Sequence, residues 1–318
     1  MSWDCLVPIN FKHDCHLLIY SDRATQFNQC PITDSTVIHM RKLIGSVVFL
    51  FLLQSSTLLH AQDNDRHDPE QQRVEPFQVF DNLYYVGADW VASWLLVSDQ
   101  GLILFDALYE GLTDDLVENI RQLGFDPNDI RYLIGSHAHY DHIGGALRFQ
   151  QEFSAVMMMT EEDWAMTEQP AEFREYPKPI RHLSVADGST LNLGRTRLRF
   201  MKTPGHTPGV LSTLFTVYDD GYPHSAFMFG GAGLNFSGVE RTEMYIDSIK
   251  RMQQITGIEV NVPNHAAVAD VFERRDMLAE RQDGDPHPFV DPESWTAFLD
   301  LLLQQAEQKL EQERAAAN

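Results

Sequence analysis

The chain has 318 residues, enough for one large domain, and 46 acidic against 24 basic residues give a net charge of −22. That balance argues against nucleic acid as a partner, because phosphate binding needs a basic surface; its plainest use is solubility. All three cysteines (Cys5, Cys15, Cys30) fall in the first 39 residues, so the rest of the chain offers neither a disulfide nor a thiolate ligand.

Residues 1–39 show no hydrophobic periodicity and are expected to be a start-site artefact or disordered extension, with translation beginning at Met40. Arg41 and Lys42 followed by Leu43 to Leu53 have the form of a signal peptide, and Leu59-His60-Ala61 the form of its cleavage site. The apolar run is short for a bilayer span, which makes an uncleaved membrane anchor the weaker alternative. A periplasmic or secreted protein beginning at Gln62, with no stable membrane association after cleavage, is therefore expected. Residues 62–76 are polar and read as a flexible leader. Residues 77–318 form the remaining, folded part.

Short apolar runs then follow between turn residues: Phe77–Phe80, Leu83–Gly87, Ser93–Val97 and Leu102–Asp106. They predict a meander of strands. Leu112, Leu116, Ile120 and Leu123 have helical spacing, ended by Gly124. A strand over 129–134 leads into Gly135-Ser136-His137-Ala138-His139-Tyr140-Asp141-His142, and a helix over 143–153 should pack behind it. A strand over 155–159, a short helix over 161–166 and a charged, proline-containing loop over 167–181 come next. The loop is a candidate border for a cleft.

A hairpin (189–193 with 196–201) runs into Thr203-Pro204-Gly205-His206-Thr207-Pro208-Gly209, whose prolines and glycines fix the imidazole in a rigid loop. Strands over 211–217 and 226–229 end at Gly230-Gly231-Ala232-Gly233, where the backbone must approach something closely. A helix over 242–255 and a strand over 258–262 lead to Pro263-Asn264-His265. A helix over 271–281 and a proline-containing loop over 283–291 precede a terminal helix from Pro292, burying Trp295, Phe298, Leu302 and Ala306. The plan of strands, helix, then strand ending in histidine occurs twice. It suggests an αββα four-layer sandwich of two mixed sheets with helices on the outer faces, and a site along the shared edge.

Four metal-ligand side chains lie within six residues at 137–142. His-rich tracts also occur on surfaces without function, but this one sits at a strand end, where α/β proteins place their sites. His137 and His139 project to one side and Asp141 and His142 cannot both follow, so the run suits two neighbouring ions. Imidazoles with one carboxylate suit zinc, with iron and manganese as the alternatives.

With His206 and His265 in order behind it, this pattern resembles the metallo-β-lactamase superfamily over roughly residues 77–310. The resemblance implies an αββα sandwich and two zinc ions per chain. Residues 225–234 hold no Asp, Glu or Cys where many hydrolases of this fold place a bridging Asp, or some lactamases a Cys. The remaining ligand set is similar to the third subclass of class B β-lactamases. Carried over, it implies His137, His139 and His206 for the first zinc and Asp141, His142 and His265 for the second. It implies an exported, antibiotic-resistance type of hydrolase that opens the β-lactam ring of a small-molecule substrate with a zinc-bound hydroxide. Asp141 is the candidate catalytic residue that orients the water. The alternative is an exported metallo-hydrolase acting on a lactone, thioester or phosphoester; no oligomeric state is implied. Among lesser candidates, Asp106 is a partner for a ligand histidine or a turn cap, and Asn235 and Ser237 are substrate contacts. Trp90 and Trp164 line the cleft or belong to the core, Tyr140 is packing, and His182, His224 and His287 are surface residues.

Overall fold

The computed structural model describes residues 67–317; the expectations for 1–39, 40–61 and most of the leader lie outside the described residues. Twelve strands form two sheets among the described residues. The first holds β1 (Phe77–Phe80), β2 (Leu83–Tyr85), β3 (Trp94–Ser98), β4 (Gly101–Phe105), β5 (Ile130–Ile134), β6 (Val156–Thr160) and β7 (Leu183–Val185) in sequential order. Its first three pairings are antiparallel and its last three parallel. The second holds β8 (Thr190–Leu193), β9 (Thr196–Lys202), β10 (Leu211–Asp219), β11 (Tyr222–Met228) and β12 (Val260–Asn261); only β11 and β12 pair in parallel.

Alternation along the strands sorts side chains between layers. In β4, Ile103 and Phe105 enter the core between the sheets, while Leu102 and Leu104 face the opposite way. In β11, Ala226 and Met228 face that shared core, while Phe227 and, just after the strand, Phe229 turn outward. Both faces of each sheet are thus apolar, and each outer face needs a cover. Helices α2 (Thr113–Gln122), α3 (Tyr140–Ile143) and α4 (Ala146–Glu152), through Leu116, Ile120, Ile143 and Phe149, cover the first. Further along the chain lie α5 (Glu161–Thr167), α6 (Val239–Met252), α7 (Val271–Glu280) and α8 (Pro292–Ala316). Tyr245, Ile249 and Met252 of α6 and Trp295, Leu299 and Leu302 of α8 cover the second sheet. The result is the αββα sandwich of two mixed sheets that the two-fold plan predicts.

Three features differ from the sequence reading. Residues 67–76 are not a free leader: α1 (Pro69–Gln72) is capped by Asp68, and Gln72 is buried. The Gln72 carbonyl and side-chain oxygens accept from Asp89 N and Trp90 N, both at 2.9 Å. Strand β7 was not foreseen, because two of its three residues are exposed and no alternation marks it. His287 is not a surface residue. It is 6 % exposed, stacks on Phe80 at 4.1 Å, and lies 2.8 Å from the Val79 carbonyl through Nε2.

Candidate metal centre

Strand ends converge on one edge of the sandwich. The segment after β5 carries His137, His139, Asp141 and His142; the loop between β9 and β10 carries His206; the segment after β12 carries His265. The two halves are fastened beside them. Trp94 Nε1 donates to Pro263 O at 2.7 Å, Ala92 N to Asn264 O at 3.0 Å, and Leu211 N to Ser136 O at 2.8 Å. The structure brings the six residues into two groups, His137–His139–His206 and Asp141–His142–His265. Within each group one nitrogen or oxygen per residue lies within 4.8 Å of the others. His137 Nε2 is 3.1 Å from His206 Nε2, and His142 Nε2 is 3.2 Å from His265 Nε2.

Each imidazole is oriented by a contact at its other nitrogen, the usual outer support of a metal-binding histidine. His137 Nδ1 donates to Gly230 O at 2.7 Å and His206 Nδ1 to Gly233 O at 2.8 Å. His142 Nδ1 donates to Asp106 Oδ2 at 2.8 Å, and His265 Nδ1 lies 3.3 Å from Trp90 O. For His139 the contact is at Nε2, 3.3 Å from Glu172, which leaves Nδ1 as its free nitrogen. The turn at 230–233 therefore acts through its backbone carbonyls. Two of its positions have no room for a side chain: a Cβ on Gly231 would come 2.9 Å from His206 Cβ, and one on Gly233 3.1 Å from His206 Cε1.

The electrostatics of four of the five rings match a cation site. Burial, reinforced by neighbouring imidazoles, pulls His139 and His265 down to about 4 and His206 to about 3, and sets His137 well below its ordinary value. These rings are neutral at neutral pH, with lone pairs available. Burial disfavours charge on both Asp141 and His142. Their mutual attraction, with Asp106 beside His142, outweighs it, holding Asp141 well below the carboxylate range and His142 up at about 10. Five imidazoles and one carboxylate, buried or nearly so and convergent without thiolate, fit zinc in kind and number of donors.

Asp106 is the hydrogen-bond partner of His142 rather than a turn cap. It also accepts from Ser136 N at 2.7 Å and Ser136 Oγ at 2.8 Å, and it holds φ of 60°, which aspartate tolerates better than most residues. Trp90 lines the cleft with its ring 5.2 Å from His265, whereas Trp164 is a core residue. Asn235 and Tyr140 line the cleft; Ser237 does not border it. His182 is exposed and accepts from Met157 N, and His224 is half-buried 3.3 Å from Glu259. The 167–181 loop borders the cleft through Phe173, whose ring sits 4.8 Å from His139.

Sequence reasoning missed Asp163, Glu172 and Arg241. Asp163 is 1 % exposed and accepts from Ala138 N (2.8 Å), Thr207 Oγ1 (2.8 Å) and Gly209 N (2.7 Å), so one carboxylate ties the His137–His139 segment to the His206 loop. Burial lifts it to about 6 against those hydrogen bonds. Arg241 donates to Gly205 O and His206 O and pairs with Glu172 at 3.6 Å. The Asp163→Asn variant replaces one acceptor oxygen by a donor that faces donors. We expect zinc affinity of the three-histidine group to fall about 10- to 100-fold, measured by chelator competition. Wild-type affinity would remove Asp163 from any role in holding that group.

A family model described as the metallo-β-lactamase superfamily matches residues 87–218. Among curated relatives, a probable metallo-hydrolase, YqgX, of Bacillus subtilis (strain 168) is 28% identical over 217 residues, 64% of this chain and 94% of that protein. An N-acyl homoserine lactonase of a Bacillus species is 26% identical over 152 residues, 45% of this chain and 57% of that protein. Among solved structures, BJP-1, a subclass B3 metallo-β-lactamase of Bradyrhizobium japonicum, superposes with TM-score 0.71 at 29% identity, covering 78% of this chain and 97% of its own. The FEZ-1 metallo-β-lactamase of Legionella gormanii gives TM-score 0.71 at 27% identity, covering 76% and 98%.

Proposed function

The chain belongs to the metallo-β-lactamase superfamily and is a hydrolase of that fold, and from this premise we propose that it opens the β-lactam ring with two zinc ions. One observation carries the reading: the paired three-histidine and Asp-His-His groups stand together with a strand end after β11 that offers only backbone carbonyls. That set lacks the bridging carboxylate of other hydrolases of the fold. The similarity to subclass B3 enzymes across nearly their whole length supports the same choice.

His137, His139 and His206 would hold one ion and Asp141, His142 and His265 the other. Bound there, the ions would supply Lewis acidity and make water nucleophilic at neutral pH, so no serine nucleophile is required. The ionised Asp141 carboxylate borders the cleft and would orient that water. Asn235, on the same cleft, would donate to a substrate carbonyl or carboxylate. Trp90 and Phe173 would exclude bulk water from the reacting carbonyl. Residues 40–61 support an exported, periplasmic or secreted enzyme. Among the described residues no helix is long and apolar enough to cross a membrane.

A second reading, hydrolysis of a lactone, is favoured by one feature of the cleft. Among the described residues no lysine or arginine lines it, so these residues offer no cationic side chain for the carboxylate of a β-lactam nucleus, a group that a simple lactone lacks. Relatives named as lactonases agree with this reading. The test is hydrolysis of a chromogenic cephalosporin and a carbapenem by the purified protein. We expect turnover that a chelator abolishes and zinc restores. No turnover of either with zinc bound would discard the β-lactam reading and leave the lactone.

A further inference from the structure

The cleft, about 980 Å³, extends beyond the two ligand groups onto the C-terminal helix. Phe298, Leu301, Leu302 and Gln305 of α8 recur at helical spacing and line the same cleft as His137, His206 and His265. The opposite demand on α8 is met by Trp295, Leu299, Ala306 and Leu310, which are buried against the second sheet. Leu301 is not needed there: it is 50% exposed, a large apolar side chain turned to the cleft. Leu234 from the glycine-rich turn and Val268, just after His265, continue the apolar wall. Arg241, the cation paired with Glu172, is already engaged by the Gly205 and His206 carbonyls and lies over the Phe236 ring.

Polar groups therefore gather around the candidate metal centre and an uncharged apolar wall leads away from it. We propose that this face of α8, with Leu234 and Val268, is a subsite for the apolar acyl arm of the substrate, carried on an amide nitrogen beside the ring to be opened. The inference rests on the ring-opening reading above. Both ring classes considered there occur with such an arm, so the subsite serves either. A cleft of this volume is at the upper end for small-molecule sites, larger than a bare ring requires. With the ring carbonyl at the histidines, this wall gives the arm a continuous apolar path along α8.

The test compares matched substrates on the zinc-loaded protein. Benzylpenicillin is set against 6-aminopenicillanic acid, which lacks the arm, and N-decanoyl- against N-acetyl-homoserine lactone. We expect kcat/KM to favour the armed member of the hydrolysed class by at least about tenfold, since each methylene in an apolar pocket is worth a similar factor. In Leu301→Glu that preference should fall at least about fivefold, while Met277→Glu, an exposed change on α7 outside the cleft, should leave it as in wild type. Calorimetry with ring-opened N-decanoyl- and N-acetyl-homoserine gives a readout that needs no turnover. Tighter binding of the longer arm, lost in Leu301→Glu, without opening of any ring, keeps the subsite and sinks the ring-opening reading. Ring opening without arm preference, or a preference that survives Leu301→Glu, overturns the subsite.

Discussion

Replacing His137 by alanine is expected to lower kcat/KM by at least about 10³-fold, about 4 kcal/mol of transition-state stabilisation, with the fold retained. The reason lies in what the side chain touches. Its Nε2 faces His206 Nε2 at 3.1 Å and its Nδ1 meets the Gly230 carbonyl. Without it the three-histidine group has two members, too few to hold an ion firmly. The Gly230 carbonyl keeps a donor, Asn264 Nδ2 at 2.8 Å, so no buried acceptor is stranded and the far-ultraviolet spectrum should be unchanged. His265→Ala should act alike on the second group. Either variant retaining wild-type turnover with zinc supplied would refute the assignment of that group.

Asp106→Ala should destabilise the protein by roughly 3 kcal/mol or more, because one buried carboxylate satisfies three donors: Ser136 N, Ser136 Oγ and His142 Nδ1. For a domain of this size that is a fall in Tm of about 6–12 °C. The same change frees His142 to rotate, so zinc at the Asp141–His142–His265 group should weaken about 10- to 100-fold. Calorimetry and chelator competition measure the two effects. A Tm within about 2 °C of wild type with unaltered metal affinity would show that Asp106 supports neither.

The sandwich was legible because both faces of its strands are buried, which leaves short unbroken apolar runs such as Leu102 to Phe105 and Ala226 to Phe229 between turn residues. The six converging residues were legible because four lie within six positions and the other two follow strands closed by proline. What escaped notice is work done by groups whose partners are remote. Asp163 follows Thr160 by three residues, the spacing of a helix cap, and Asp163 N does approach Thr160 Oγ1 at 3.3 Å. Its carboxylate instead reaches Ala138 and the His206 loop, 25 to 46 residues away. Glu172 meets His139 from 33 residues away, and only the folded loop brings them together. The carbonyls of Gly230 and Gly233 have no side-chain signature at all; the glycines advertise close approach but not its partner. On α8 periodicity picked out the buried Trp295, Leu302 and Ala306, but it also counted Phe298 as buried, and that side chain is half-buried and lines the cleft beside the exposed Leu301.

Each ligand group draws members from both halves of the sandwich. An ion joining His137 to His206 closes a chain segment of 69 residues, and one joining His142 to His265 closes 123. No cysteine occurs beyond residue 30, so in this part of the chain such ions would be the strongest available cross-links. Like a disulfide, each would restrict the unfolded chain, and loop-closure entropy grows only slowly with length, so the two cross-links would contribute comparably. Losing metal would then do more than silence chemistry: it would unclasp the two sheets along one edge, and resistance to unfolding would follow zinc supply.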